Sequence, residues 1–293
     1  MSNLPLSEAA EPKALDIQHD TDPAKDYGPA RRIPHLGHAI LFFCLAALGL
    51  ALCGEAAGSL AHIHTAAQSE AHPELLLAAQ ALGYLLTLAT AFWLFPRLWE
   101  KSFLRGIEWN ALAARRSWRW IVPAGVALSA AAQGALHFVP TPSHAPIDNV
   151  MRSAHEAWLT ALFAVVLGPL SEEIAFRGFL LPALATAYDW LALERTPAGL
   201  QRWQSSTAHS RAALIFAALF SSVPFALLHA AQLDYAWGVV GVLFLVSLAL
   251  STVRIVTHSV ACSTLMHTTY NFTIFAALFA ASGGFRHLDK LAN

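Results

Sequence analysis

Residues 157–181 read AWLTALFAVVLGPLSEEIAFRGFLL, an apolar run whose only charged side chains are Glu172, Glu173 and Arg177. A run of this length suits a helix crossing a bilayer, which needs about 20 residues for the ~30 Å hydrocarbon core. Six more apolar stretches lie outward from it, roughly 37–60, 74–96, 118–139, 211–230, 236–253 and 259–281. The fold class they imply is all-α: a polytopic integral membrane helix bundle of about seven transmembrane helices, or eight if a re-entrant segment adds one. Pro169 and Pro224 fall inside two of the stretches and are expected to kink them.

Composition points the same way. Of 293 residues, 56% are hydrophobic and 13% charged, against roughly 25% charged in soluble domains. The mean hydropathy is +0.48. A soluble domain could not hide that much apolar surface. The near-neutral net charge of −1 argues against a nucleic-acid partner, and three cysteines are too few for a disulfide scaffold.

Residues 1–34 are polar, with scattered Asp, Lys, Pro and Gly, and read as a flexible tail. Residues 35–293 read as the membrane-embedded domain, with the chemistry concentrated at about 157–281. Basic residues alternate between the links. Arg31 and Arg32 precede the first stretch, six Arg and Lys lie between Arg97 and Arg119, Arg195, Arg202 and Arg211 follow the fourth, and Arg254 follows the sixth. The positive-inside bias then puts the N-terminus in the cytoplasm and the C-terminus on the far side of a cell membrane. Phe103–Trp120 mixes basic and apolar residues and is expected to lie along the interface.

An ionisable group in hydrocarbon costs several kcal/mol, so each one in residues 157–181 needs a reason. Glu173 and Arg177 are four apart and share a helix face, which allows an ion pair that supports the site structurally. Glu172 points about 100° away and is free for other work, such as acting as a general base. Later stretches supply partners: Phe225-Ala226-Leu227-Leu228-His229, then His267-Thr268-Thr269-Tyr270-Asn271. Glu172 and His229 could polarise one water while His267 and Asn271, one turn apart, donate to an oxyanion. Glutamate plus two histidines is equally a ligand set for zinc or another divalent metal. Helix–helix hydrogen bonding is the plainer role for His267 and Asn271.

The ordered set Glu-Glu-x-x-x-Arg (172–177), Phe-x-x-x-His (225–229) and His-x-x-x-Asn (267–271) resembles the signature of the CPBP family, the CAAX proteases and bacteriocin-processing proteins. Arg254, Thr257 and Ser259 resemble that family's lead-in to its last motif. The resemblance implies an intramembrane endopeptidase acting on membrane-associated substrates, prenylated CAAX-type tails or leader peptides. It also implies that Glu172 and His229 activate water and that His267 and Asn271 form the oxyanion site, with no cofactor preferred and zinc as the alternative. Two other classes fit parts of the pattern. One is a proton-coupled transporter using Glu172, Glu173 and Arg177 as a relay, and the other a catalytically idle immunity or assembly factor. The absence of an internal repeat and the gathering of polar groups at one locus weigh against transport. His155-Glu156 opens like a zinc-protease motif, but Leu159 stands where its second histidine would be.

Overall fold

The computed structural model describes residues 32–63, 65, 68, 72–142, 151 and 153–288. The tail expected over residues 1–34 therefore lies outside the described residues except for its last three. Nine helices and no strand occur among the described residues: α1 (Leu36–Leu60), α2 (Pro73–Trp99), α3 (Phe103–Gly106), α4 (Ala111–Leu136), α5 (Ala154–Leu191), α6 (Pro197–Ser205), α7 (Arg211–Leu228), α8 (Trp237–Thr257) and α9 (Val260–Ala281).

Each of the seven apolar stretches is a helix. Five of them, α1, α2, α5, α7 and α8, are long and apolar enough to cross a membrane. The other two, α4 and α9, have 26 and 22 residues but are less apolar. The reason is visible in each. Arg115, Arg116 and Arg119 crowd the first turns of α4, whereas α9 carries the polar run His267–Asn271.

Two hydrophobic clusters hold the bundle, the first of them including α5. In the first, Phe42 of α1, Phe95 and Trp99 of α2, Phe103 and Ile107 pack on Phe179. In the second, Ile121 of α4 and Val246 and Leu250 of α8 pack with Met266 and Tyr270 of α9. Small residues let helices approach closely, as they must where lipid offers no hydrophobic drive to pack. A Cβ on Gly49 of α1 would stand 3.1 Å from the Gly83 carbonyl of α2. One on Gly125 of α4 would stand 2.9 Å from Thr269 Cβ of α9.

The region Phe103–Trp120 divides between a short helix, α3, and the first turns of α4. Phe103 and Ile107 are buried, and from Ala111 the chain is already part of α4. Phe103, Ile107 and Trp109 join the aromatic cluster around Trp99 and Phe179, whereas Leu104, Leu112, Trp118 and Trp120 stay exposed on the outside of the bundle.

The central helix α5 is also longer than its apolar run suggests. It starts at a capping box between Ser153 and Glu156 and continues without a break to Leu191. Two stretches, Phe163–Leu167 and Ile174–Leu180, wind in the wider π register. Such bulges redirect the side chains around them and are frequent at functional sites.

Candidate active site

Glu173 and Arg177 are the two charged side chains buried completely within α5. Their spacing sets up the ion pair: Arg177 Nη1 donates to Glu173 Oε1 at 2.8 Å. The second terminal nitrogen of the guanidinium is paired across the bundle, while Nε has no partner among the described residues. Arg177 Nη2 donates to both the carbonyl oxygen and Oγ of Ser247 on α8, at 2.8 and 2.7 Å, and Ser247 Oγ donates to Ser222 Oγ on α7 at 2.9 Å. Arg177 also stacks over the Phe225 ring, 4.7 Å from its centroid. Burial without such partners would cost several kcal/mol per charge. Ser222 and Ser247 escape a reading of the sequence for chemistry. Their one signal is a pair of serines placed inside otherwise apolar helices.

The same Glu173 oxygen takes a second bond. His267 Nδ1 lies 3.0 Å from Oε1, which assigns the hydrogen of the ring to Nδ1 and leaves Nε2 to face elsewhere. Nε2 faces Glu172, whose Oε2 is 3.9 Å away. That gap is too long for a direct hydrogen bond, and a polar atom placed between could touch both groups. Glu172 is partly open, its side chain 23% exposed, while its neighbour Glu173 is sealed. The two adjacent glutamates are thus separated by helix geometry into a buried structural one and an accessible one.

His229 caps the C-terminal end of α7. Its Nδ1 lies 2.9 Å from the Phe225 carbonyl one turn earlier, a contact that again puts the ring hydrogen on Nδ1 and leaves Nε2 as an acceptor. Phe225 joins this histidine to the rest: its ring lies 5.1 Å from that of His229 and 6.0 Å from that of His267. Counted from the ends of the apolar runs, His229 lies deeper than Glu172. The full length of α5 removes the discrepancy. Glu172 is 19 residues from Leu191 and His229 is 18 from Arg211, which at 1.5 Å per residue is about 28 and 27 Å from the shared end. Asp189 bonds His209 there, at 2.9 Å, and ties the two helices together.

Asn271 donates through Nδ2 to the Ala164 carbonyl at 2.6 Å. One of its two amide hydrogens therefore links α9 to the first π stretch of α5, and the second is left for other partners. Among the described residues no three His, Cys, Asp or Glu side chains converge as a metal ion would require. Glu172, His229 and His267 do not form such a set.

Residues 154–273, about two-fifths of the chain, match the family model described as type II CAAX prenyl endopeptidase Rce1-like. This stretch is an Rce1-like domain. No curated protein and no solved structure matches the chain. The Rce1-like domain spans α5 to the middle of α9 and contains all three motifs. The match supports an intramembrane protease of the general CAAX type, and the apolar helices support a membrane protein.

Proposed function

We propose that the Rce1-like domain hydrolyses a peptide bond of a membrane-associated substrate, a prenylated CAAX-type tail or a leader peptide, by glutamate- and histidine-assisted attack of water. The observation that carries this reading is the 3.9 Å gap between Glu172 Oε2 and His267 Nε2, beside a fully buried Glu173 that holds the other side of the same imidazole. A water near Glu172 passes a proton to the carboxylate as its oxygen adds to the scissile carbonyl carbon. His229, with Nε2 as acceptor, polarises that water. The carbonyl oxygen becomes an oxyanion, which His267 Nε2, when it carries a hydrogen, and the second Asn271 amide hydrogen can stabilise. Collapse of the tetrahedral centre breaks the C–N bond, and the proton held by Glu172 leaves on the amine.

The positive-inside reading places the N-terminus in the cytoplasm of a cell-membrane protein. In support, Arg32 at the start of α1 donates to the carbonyls of Trp203 and Ser206, so two of the basic segments lie together.

The test is cleavage of fluorescent prenylated and unprenylated membrane peptides by the purified protein and by Glu172→Gln. Abolished cleavage in a variant with unchanged thermal stability is expected. Full activity in Glu172→Gln would end this mechanism, and a preference for the prenylated peptide would identify the substrate class.

A further inference from the structure

A proline stands two residues after each π stretch of α5, and in both a side chain from another helix occupies the carbonyl that the proline leaves without an amide. In the first, Gly168 N–H bonds the Phe163 carbonyl in the wide register. The next amide in that register would be that of residue 169, directed at the Ala164 carbonyl, but residue 169 is proline. Asn271 donates to Ala164 instead. In the second, Leu181 N–H bonds the Phe176 carbonyl, and the next amide, that of residue 182, is again missing because residue 182 is proline. The carbonyl it would meet belongs to Arg177, and Arg254 Nε of α8 donates to it at 3.3 Å. An unpaired carbonyl in a membrane interior is costly, so the donor and the proline belong together.

The geometry points to Arg254 as a positioning residue of the active site, replacing the amide that Pro182 lacks and so holding the turn of α5 that presents Arg177 to Glu173 and Glu173 to His267. Glu108 orients it. Arg254 Nη2 donates to Glu108 Oε2 at 2.7 Å, and the Glu108 carbonyl accepts the amide of Val260, the first residue of α9, at 3.1 Å. Glu108 holds a left-handed backbone, φ 56°, uncommon for a residue with a side chain. It also lies outside residues 154–273, so part of the machinery that sets the site is supplied by a segment beyond the matched domain.

This inference rests on the proposed hydrolytic site for its consequence, and its test reads the site both with and without activity. The probe without activity is the Nδ1–H proton of His267 in spectra of histidine-labelled protein. The Nδ1–H of His209, held by Asp189 at the remote end of α5, serves as the internal control. The Arg254→Leu protein is expected to lose the His267 signal and keep that of His209. Adding Pro182→Ala, which returns an amide to the Arg177 carbonyl, should restore it. Adding Pro169→Ala should not, because that amide would meet Ala164.

In peptidase assays kcat should fall about tenfold or more in Arg254→Leu with KM within about twofold, as for a small misplacement of catalytic groups. The Pro182→Ala double variant should recover it. Glu108→Gln should show the same loss in weaker form, and it supplies the test should Arg254→Leu fail to fold. An unchanged His267 signal in both single variants would overturn the inference. Equal rescue by Pro169→Ala, or loss of the His209 signal as well, would do the same by showing general stabilisation. A wild-type protein that cleaves no peptide would count against the hydrolytic site alone, leaving the spectroscopic result intact.

Discussion

His267 and Glu173 are joined by a 3.0 Å contact from Nδ1 to Oε1, the same oxygen that accepts Arg177 Nη1 at 2.8 Å. Two helices, α5 and α9, thereby meet at one carboxylate oxygen, and Arg177 carries the link on to Ser247 of α8. Glu173 fixes the imidazole by one nitrogen and aims the other at Glu172.

The two adjacent glutamates should therefore fail in different ways. Replacing Glu173 with Ala leaves the Arg177 charge buried at 0% exposure without its ion-pair partner. The expected loss is about 3–5 kcal/mol, seen as a large drop in Tm and poor yield from detergent. Glu172→Gln should keep the wild-type Tm and lose activity. Equal destabilisation by both substitutions would contradict the division of roles.

His229 offers a finer dissection. The amide nitrogen of Asn falls near the place of Nδ1, and the side-chain oxygen of Gln can reach the place of Nε2 and accept a hydrogen bond as it does. His229→Asn can keep the bond to the Phe225 carbonyl, 2.9 Å in the native protein, yet has nothing where Nε2 was. It should fold normally and lose about 100-fold or more in kcat, the worth of a positioned acid–base group. His229→Gln should lose the Phe225 bond but retain more activity than the Asn variant. The opposite order, measured as kcat at matched protein concentration, would show that the Nδ1 contact matters more than the free nitrogen.

The close approach of α4 to α9 gives a prediction about packing that reads out as catalysis. A Cβ at position 125 would stand 2.9 Å from Thr269 Cβ and 3.0 Å from the Met266 carbonyl, on either side of His267 in the chain. Gly125→Ala must push α9 away and should lower both kcat and Tm. Gly134→Ala on the same helix meets nothing within 4 Å and should be silent or slightly stabilising. Matching effects from both glycines would mean that helix propensity, and not the α4–α9 contact, governs them.

The seven helices, the i,i+4 pairing of Glu173 with Arg177 and the separation of Glu172 from it were legible because a regular helix with 3.6 residues per turn settles them. The end of α5 was not. Hydropathy falls after Leu181, where Tyr188, Asp189 and Trp190 enter, but the helix runs on to Leu191 because these residues face α6 and α7 in the protein and not lipid alone: Trp190 lies 5.2 Å from Trp203, and Asp189 bonds His209. The π stretches leave no mark on an apolar sequence beyond the prolines that follow them. For the same reason Asn271 could be seen as a donor but not as the partner of Ala164, since no pattern of side chains reveals which backbone carbonyl a proline has released.

Chelation separates the two mechanisms that the motif residues allow. Each imidazole gives its Nδ1 to a protein oxygen, yet Glu172, His229 and His267 do not converge as a ligand set among the described residues. Exhaustive treatment of the detergent-purified protein with a strong chelator is expected to leave peptidase activity unchanged. Elemental analysis on the same sample should find metal far below one equivalent per chain. Stoichiometric zinc whose removal abolishes cleavage, and whose return restores it, would require these three residues to close around the ion. Glu172 would then be a ligand in place of a base. Glu173 would still be needed, because a histidine bound to metal through Nε2 relies on a carboxylate at Nδ1 to hold its ring.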